Sequence, residues 1–444
     1  MISFVSTFPP IICGIGTYTK YIVERLPLDK WRVISFDLNQ FSVSDEQVGR
    51  DMRKRVDHFL SFSNLCLPSP SRDELLWFQH AFGMWGDTND YFLDLVRVAK
   101  RRGNKVVATL HTVHFQSQET SWGMCKIEED LLREMLPLVD ALTLFTDGTY
   151  QAAAAAFPEY VDKMVVLRHG VHLYPPLDQF EARERFVSFL INKAQVPGYQ
   201  KEQLKRLWEK GLSSRDVLLL GNYGFITTDK DPLALYRLGE MVQSKLPKHR
   251  VITIYAGIVQ KTRDNTSSKR LAVLESLRMV HDGERNFFFE LFIPEEIFPI
   301  ALKALDFAVF WCSNATQSGR LAHAQGTGVI IAGRDREGVG ETLRLSGLPA
   351  ANSLEELAER ITEMALEPGL RREVEEKSRS NAMTYSFSKQ AQKHLLIRDA
   401  LSMGKSLPAL DRGRIVQPGA RSWSLGDVYE PGIGRREEMP RMAA

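Results

Sequence analysis

Short runs of apolar, largely β-branched residues alternate with stretches whose apolar residues recur every three or four positions. Residues 2–7, 32–36, 75–79, 106–110, 141–145 and 164–167 are nearly continuous in apolar character, as strands buried on both faces are. Between them, residues 18–26, 91–100, 128–136 and 150–157 carry the period of helices. Strand following helix in this way predicts a parallel sheet with helices on both faces. Over 175–214 the alternation lapses into Pro175-Pro176 and two mixed-charge helical stretches. It restarts with strands at 217–223, 251–255, 287–292, 307–311 and 329–332, and helices at 232–242, 269–279, 295–305, 320–325 and 353–366. Two further helices, 370–382 and 388–401, close the pattern, and no fixed-period repeat appears.

The fold class is therefore α/β, with two doubly wound Rossmann-like domains facing a cleft. The first covers residues 1–174 and the second 215–385, with a helical linker region at 175–214 and a closing helix at 386–404. Residues 405–444, rich in Gly, Pro and Arg, read as a flexible tail in which Trp423 and Tyr429 are the candidates for docking. Ligands of such folds sit at the C-terminal ends of strands, so two such edges can share one site.

Composition narrows the class. At 444 residues, 44% hydrophobic and 25% charged, the chain is ordinary globular protein. Lys+Arg 57 against Asp+Glu 55 leaves a net charge of +2, so no basic field draws it to nucleic acid. Cys13, Cys66, Cys125 and Cys312 stand apart without a CxxC pair, which fits a reducing compartment and argues against structural zinc. The N-terminus reads as a buried strand and not a signal peptide, and no apolar run reaches the roughly eighteen residues of a spanning helix. The expected location is cytoplasmic, with peripheral contact at the inner face of a membrane left open.

Six loops carry candidate chemistry, each at a strand's C-terminal end. Cys13-Gly14-Ile15-Gly16-Thr17-Tyr18 precedes a helix, where glycines let the backbone approach a ligand and free N–H groups favour phosphate; an empty glycine turn is the plain alternative. Phe78-Gln79-His80-Ala81-Phe82-Gly83 and Thr109-Leu110-His111-Thr112-Val113-His114 place histidines at the cleft, and Arg168-His169-Gly170-Val171 repeats the theme. His111 and His114 have no third ligand nearby in sequence, so a metal is not expected. Gly221-Asn222-Tyr223-Gly224 leads to Lys230, with Asp231 and Pro232 suited to N-cap and first helical position. Lys230 reads as a phosphate clamp or as a solvated surface lysine. Gln317-Ser318-Gly319, at a helix start, suits an anion or a sugar.

In order and spacing, these segments resemble retaining glycosyltransferases of family 4 (group 1). Phe8-Pro9-Pro10 with the Gly14 loop, FQHAFGMWG, VVATLHTVHFQ, RHGVH, NYGFITTDKDP and QSGRLAHAQGTGVII carry the likeness, which spans about residues 1–400. The branch resembled is the one with QHxFGxxG and TLHTV segments. The resemblance implies the GT-B arrangement, and transfer of a hexose from a nucleotide-diphosphate sugar to an acceptor hydroxyl, with retention and without metal or other cofactor. The acceptor would be a glycan, a glycolipid or another hydroxyl compound.

By resemblance, His111 contacts the transferred sugar, Gly14 and Gly16 approach the donor phosphates or the acceptor, and His80 and His169 lie on the acceptor side or in the cleft. Asn222, Gly224, Lys230, Gln317, Ser318 and Gly319 fall on the donor side, with Lys230 neutralising the diphosphate. The family's paired arginine falls on Phe225, and its two glutamates fall on Ser313 and Leu321, so one cation remains and Glu341 is the substitute carboxylate. Two readings from other classes share these residues. One is a catalytically silent partner or sugar-binding protein; the other is an NAD(P)-dependent oxidoreductase resting on Gly14, Gly16 and Asp37.

Overall fold

The computed structural model describes residues 1–41, 54–68, 74–212, 214, 216–259 and 268–413. Its two sheets are all parallel. The first contains β1 (Ile2–Val5), β2 (Trp31–Phe36), β3 (Val56–Leu60), β4 (Leu75–His80), β5 (Val106–Leu110), β6 (Ala141–Leu144) and β7 (Met164–Val166), in the order β3-β2-β1-β4-β5-β6-β7. The second contains β8 (Val217–Tyr223), β9 (Arg250–Ala256), β10 (Asn286–Phe289), β11 (Phe307–Phe310), β12 (Ile330–Arg334) and β13 (Ala350–Ala351), in the order β10-β9-β8-β11-β12-β13. In both, the strand order reverses beside the first strand, which opens a crevice at the C-terminal edge.

The central strands are buried along their whole length, which is why their sequences lack a polar alternation. β3 and β13 are not among the strands expected. β3 is an edge strand whose inner residues alternate with exposed ones, and β13 has two residues, too few for a pattern. The helix Glu337–Leu345 is likewise unexpected, because Gly338 and Gly340 dilute its periodicity.

The helices Gln179–Asn192 and Gly198–Glu209 of the linker region pack on the second domain, where Ala182, Phe186, Leu190 and Leu204 join its core. Arg183, buried there, pairs with Asp306 and donates to the carbonyls of Ala304 and Leu212. The helix Phe387–Ser402 returns to the first domain, and Phe387, Ala391, Ile397 and Leu401 share a core with Phe4 and Tyr18.

Two expectations need correction. Asp231 does not cap a helix: it sits at φ 33° after a short 3-10 turn, and the helix begins at Ala234. The Asp231 carboxylate pairs with Arg237 instead. Residues 405–413 do not behave as a flexible tail. Leu407 and Leu410 pack on the first core, and Asp411, fully buried, accepts from the Arg168 N–H and pairs with Lys393. Trp423 and Tyr429 lie outside the described residues.

Among the described residues no helix is long and apolar enough to cross a membrane.

Candidate functional site

The C-terminal edges of the two sheets face each other across a cavity of about 310 Å³. The first domain contributes Gly14, Thr17, Tyr18 and Tyr21 from the helix Gly14–Val23, together with His169, His172 and Phe387. The second contributes Gly224, Phe225, Gly257, Phe292, Glu295, Gly319, Arg320 and His323. A smaller cavity of about 40 Å³ adjoins it through His169 and is lined by Gln317 and Ser318.

The wall on the second domain is built by β8. After Tyr223 the chain turns at Gly224, whose φ of 130° and whose missing Cβ are both required. A Cβ there would lie 2.7 Å from the Arg320 side chain. Arg320 Nη1 donates to Asn222 Oδ1 at 3.0 Å and to the Tyr223 carbonyl at 2.8 Å, with the guanidinium over the face of Phe310. Lys230 Nζ donates to the Phe225 carbonyl at 3.3 Å. Burial, and then the Arg320 charge, push the Lys230 ammonium down to about 7. Ser318 caps the helix Gly319–Thr327, its hydroxyl accepting from the Leu321 N–H at 3.3 Å.

The wall on the first domain is aromatic and uncharged. Tyr18 lies edge-on to His111 at 5.0 Å and tilted against His169 at 4.9 Å, and its buried hydroxyl has no partner among the described residues. His111 stands behind Tyr18 and does not line the cavity. Its Nε2 meets Gln79 Oε1 at 2.6 Å, its Nδ1 is unpartnered among the described residues, and burial holds it neutral, well below the usual histidine range. Burial likewise lowers His169 and His323 to about 4. The Tyr21 hydroxyl donates to Glu295 at 2.8 Å, bridging the domains at one end of the cavity.

Of the residues singled out from sequence, Gly14, His169, Gly224 and Gly319 thus meet around the larger cavity, and Gln317 and Ser318 around the smaller. Asn222 and Lys230 support the wall. Gly16 packs against the backbone of Thr7. His80 is buried within the first domain, bonded to Asn89 Oδ1 at 3.0 Å and lowered to about 4 by burial. Asp37 accepts from the N–H of Asn39 at 3.0 Å and does not line the cavity.

Glu341 is engaged between the domains. Its oxygens accept from the N–H groups of Asp147 at 2.8 Å and Gly148 at 2.9 Å, and Arg168 Nη1 binds it at 2.7 Å. Glu337, one turn earlier on the same helix, accepts from the N–H groups of Phe115 and Gln116, both at 3.0 Å. Three possible metal ligands, from His114, Cys125 and Glu128, lie within 4.8 Å of one another. The Glu128 carboxylate is already committed there: one oxygen meets His114 Nδ1 at 2.6 Å, and the other accepts the N–H groups of His114 and Cys125. The group is thereby an ion pair with a helix cap, as satisfied as a buried carboxylate can be.

Sequence reading passed over Arg320 and Tyr18, although both stand inside motifs it named. A signal for Arg320 existed. A cation in a helix's first turn opposes the macrodipole, so its presence there calls for an anion.

No protein-family model matches the chain, and no curated protein matches it. Solved structures do resemble it. An E. coli trehalose-6-phosphate structure bound with UDP-2-fluoro glucose aligns with a TM-score of 0.61 at 11% identity, over 89% of this chain and 98% of its own. Trehalose-6-phosphate synthase OtsA aligns with a TM-score of 0.61 at 12% identity, over 90% and 98%. Anabaena Alr3699/HepE in complex with UDP aligns with a TM-score of 0.59 at 12% identity, over 90% and 99%. At such identities the likeness is one of fold, the two-domain GT-B arrangement.

Proposed function

We propose that the chain is a glycosyltransferase, allied to family 4, that moves a hexose from a nucleotide-diphosphate sugar to an acceptor hydroxyl with retention and without a bound metal. The observation that carries this reading is the cavity between the two sheet edges, with Arg320 lining it and Lys230 bonded behind it to the carbonyl of the lining residue Phe225, neither cation paired to a carboxylate among the described residues. Breaking the bond between sugar and diphosphate leaves negative charge on the leaving group. Lys230 and the N–H groups at the start of the helix Gly319–Thr327 would stabilise that charge where it develops.

Gly14, whose missing side chain leaves open space, lets the opposite backbone approach the sugar or its acceptor. His169, held neutral by burial, offers a hydrogen bond without a charge, whereas the unpartnered Nδ1 of His111 would meet a sugar hydroxyl only once the Tyr18 ring in front of it moved aside. Among the described residues lining the cavity, Glu295 is the one carboxylate, and it is bonded to Tyr21. A pair of carboxylates flanking the scissile bond, as double displacement needs, is therefore lacking among them. Retention would then follow from attack by the acceptor on the face the diphosphate leaves.

The test is a thermal-shift screen against UDP-, GDP- and ADP-sugars, starting from UDP because the structural neighbours were solved with it. Ligand at roughly 100 times its Kd adds about 2.7 kcal/mol of stability. Absence of a shift with every donor counts against the proposal. Product stereochemistry, read from the anomeric proton by NMR, tests retention.

The engagement of Glu341 by Arg168 and two backbone N–H groups favours a second reading, a catalytically silent sugar-nucleotide-binding partner. Donor hydrolysis without acceptor separates the two, since a silent protein binds donor and leaves it intact.

A further inference from the structure

We infer that Arg320 is the second cation of the diphosphate site, forming with Lys230 a clamp assembled from two separate strand-to-helix loops. This rests on the proposed function and specifies how the donor's phosphates are held.

The argument begins with charge. Arg320 and Lys230 are both partly buried, and Arg320 is close enough for its charge to bear on the lysine. Among the described residues neither has a carboxylate partner: Arg320 is bonded to an amide oxygen and a carbonyl, Lys230 to a carbonyl. Partly buried cations are ordinarily paired, because desolvation without a counter-charge is costly. Arg320 stands besides in the first turn of the helix Gly319–Thr327, where the helix dipole repels it. Burial, mutual repulsion and the dipole are all unfavourable here, and one polyanion between the two side chains reverses all three.

Geometry adds orientation. Arg320 is held by Nη1 alone, on Asn222 and Tyr223, and it lies on Phe310. Among the described residues Nη2 and Nε donate to nothing, and Arg320 lines the cavity. A guanidinium fixed at one corner with its other donors free can take phosphate oxygens in a fork, whereas the ammonium of Lys230 acts as a point charge. Position 225, one residue past Gly224, carries instead an aromatic ring tilted on Phe292 at 6.0 Å, so the positive charge enters from the other loop.

The experiment is calorimetric titration of the whole chain with inorganic pyrophosphate, UDP and uridine. Wild type is compared with Arg320→Ala, Arg320→Lys, Lys230→Ala, and Arg320→Ala combined with Phe225→Arg. Expected results are a 10–100-fold loss of pyrophosphate and UDP affinity in Arg320→Ala, partial recovery in Arg320→Lys, and unchanged affinity for uridine. The Phe225→Arg combination should restore at least part of the loss, which a purely structural role of Arg320 on Asn222 would not allow. Equal pyrophosphate affinity in wild type and Arg320→Ala, with Lys230→Ala impaired, overturns the inference and leaves the glycosyltransferase reading standing. Wild type that binds UDP but not pyrophosphate also overturns it. Wild type that binds neither of these nor any sugar nucleotide removes both.

Discussion

Glu337 and Glu341 stand one turn apart on a single helix of the second domain, and each carboxylate accepts two successive backbone N–H groups of the first. The Glu341 contacts fall on the start of the helix Asp147–Ala156, where N–H groups are otherwise free and a negative charge is favoured. Glu337 adopts φ 50°, a strained value for a side-chain-bearing residue, and its two hydrogen bonds offset the strain. Gly338 must follow, because a Cβ there would lie 1.8 Å from the Thr316 carbonyl oxygen.

That latch can be broken from one side or replaced. Glu341→Ala leaves Arg168 buried with one of its two carboxylate partners lost, which should cost about 3–5 kcal/mol. Urea unfolding should show a lower midpoint, whereas Glu341→Leu combined with Arg168→Met should recover much of the loss. If Glu341→Ala keeps the wild-type midpoint, the contact contributes nothing.

Asp411 gives a second stability test, and a reversal of the reading from composition. It is fully buried, accepts the Arg168 N–H and pairs with Lys393. Asp411→Ala, or truncation before residue 405, should lower Tm by several degrees, since an orphaned buried cation and N–H cost roughly 1–3 kcal/mol or more. An unchanged Tm in both would mean that residues 405–413 are dispensable.

Buried histidines set the acid limit. His80, His169, His323 and His394 are lowered to about 4, with burial as the first cause of each. In the unfolded chain each titrates near 6.5. Their folded values are depressed, so the neutral form stabilises the fold above about pH 6.5. That stability is lost as pH falls toward 4, because only the unfolded state takes up protons in this window. Each histidine contributes a slope of about 1.4 kcal/mol per pH unit. Unfolding free energies at pH 7, 6 and 5 should fall with a slope of several protons; a slope below one proton contradicts the burial of these rings.

Lys230 makes a separate prediction about binding. With its ammonium near pH 7, the free protein holds it partly deprotonated, and a diphosphate favours the charged form. Binding should therefore take up a proton, and affinity for UDP should fall as pH rises above 7. Titration in two buffers of different ionisation enthalpy reads the proton directly, and Lys230→Ala should abolish the uptake and weaken UDP about 10–100-fold. Buffer-independent heats in wild type would contradict the assignment.

On the proposed function, His111→Ala should lower the transfer rate more than it lowers nucleotide affinity, because His111 packs behind Tyr18 of the first-domain wall, whereas Lys230 supports the second-domain wall. Wild-type turnover in that variant would move the sugar elsewhere.

Strand runs without polar alternation, such as Val106–Leu110 and Val217–Tyr223, identify themselves from sequence because burial on both faces demands apolar side chains at every position. The two domains and their six candidate loops follow from that local rule, since loops at the C-terminal ends of parallel strands converge. What sequence could not reveal depends on partners distant along the chain. Glu341 sits in a loop suited to a ligand, yet Arg168 and the N–H groups of Asp147 and Gly148, from the other domain, claim it. Arg320 and Lys230 are ninety residues apart, and only the pairing of β8 with β11 brings their loops together. Asp411 lies in a stretch with no apolar period and is nonetheless buried, because its neighbours there are the Arg168 N–H and Lys393. Periodicity records whether a residue meets water or the core; which charge it meets is decided by the packing of the two domains.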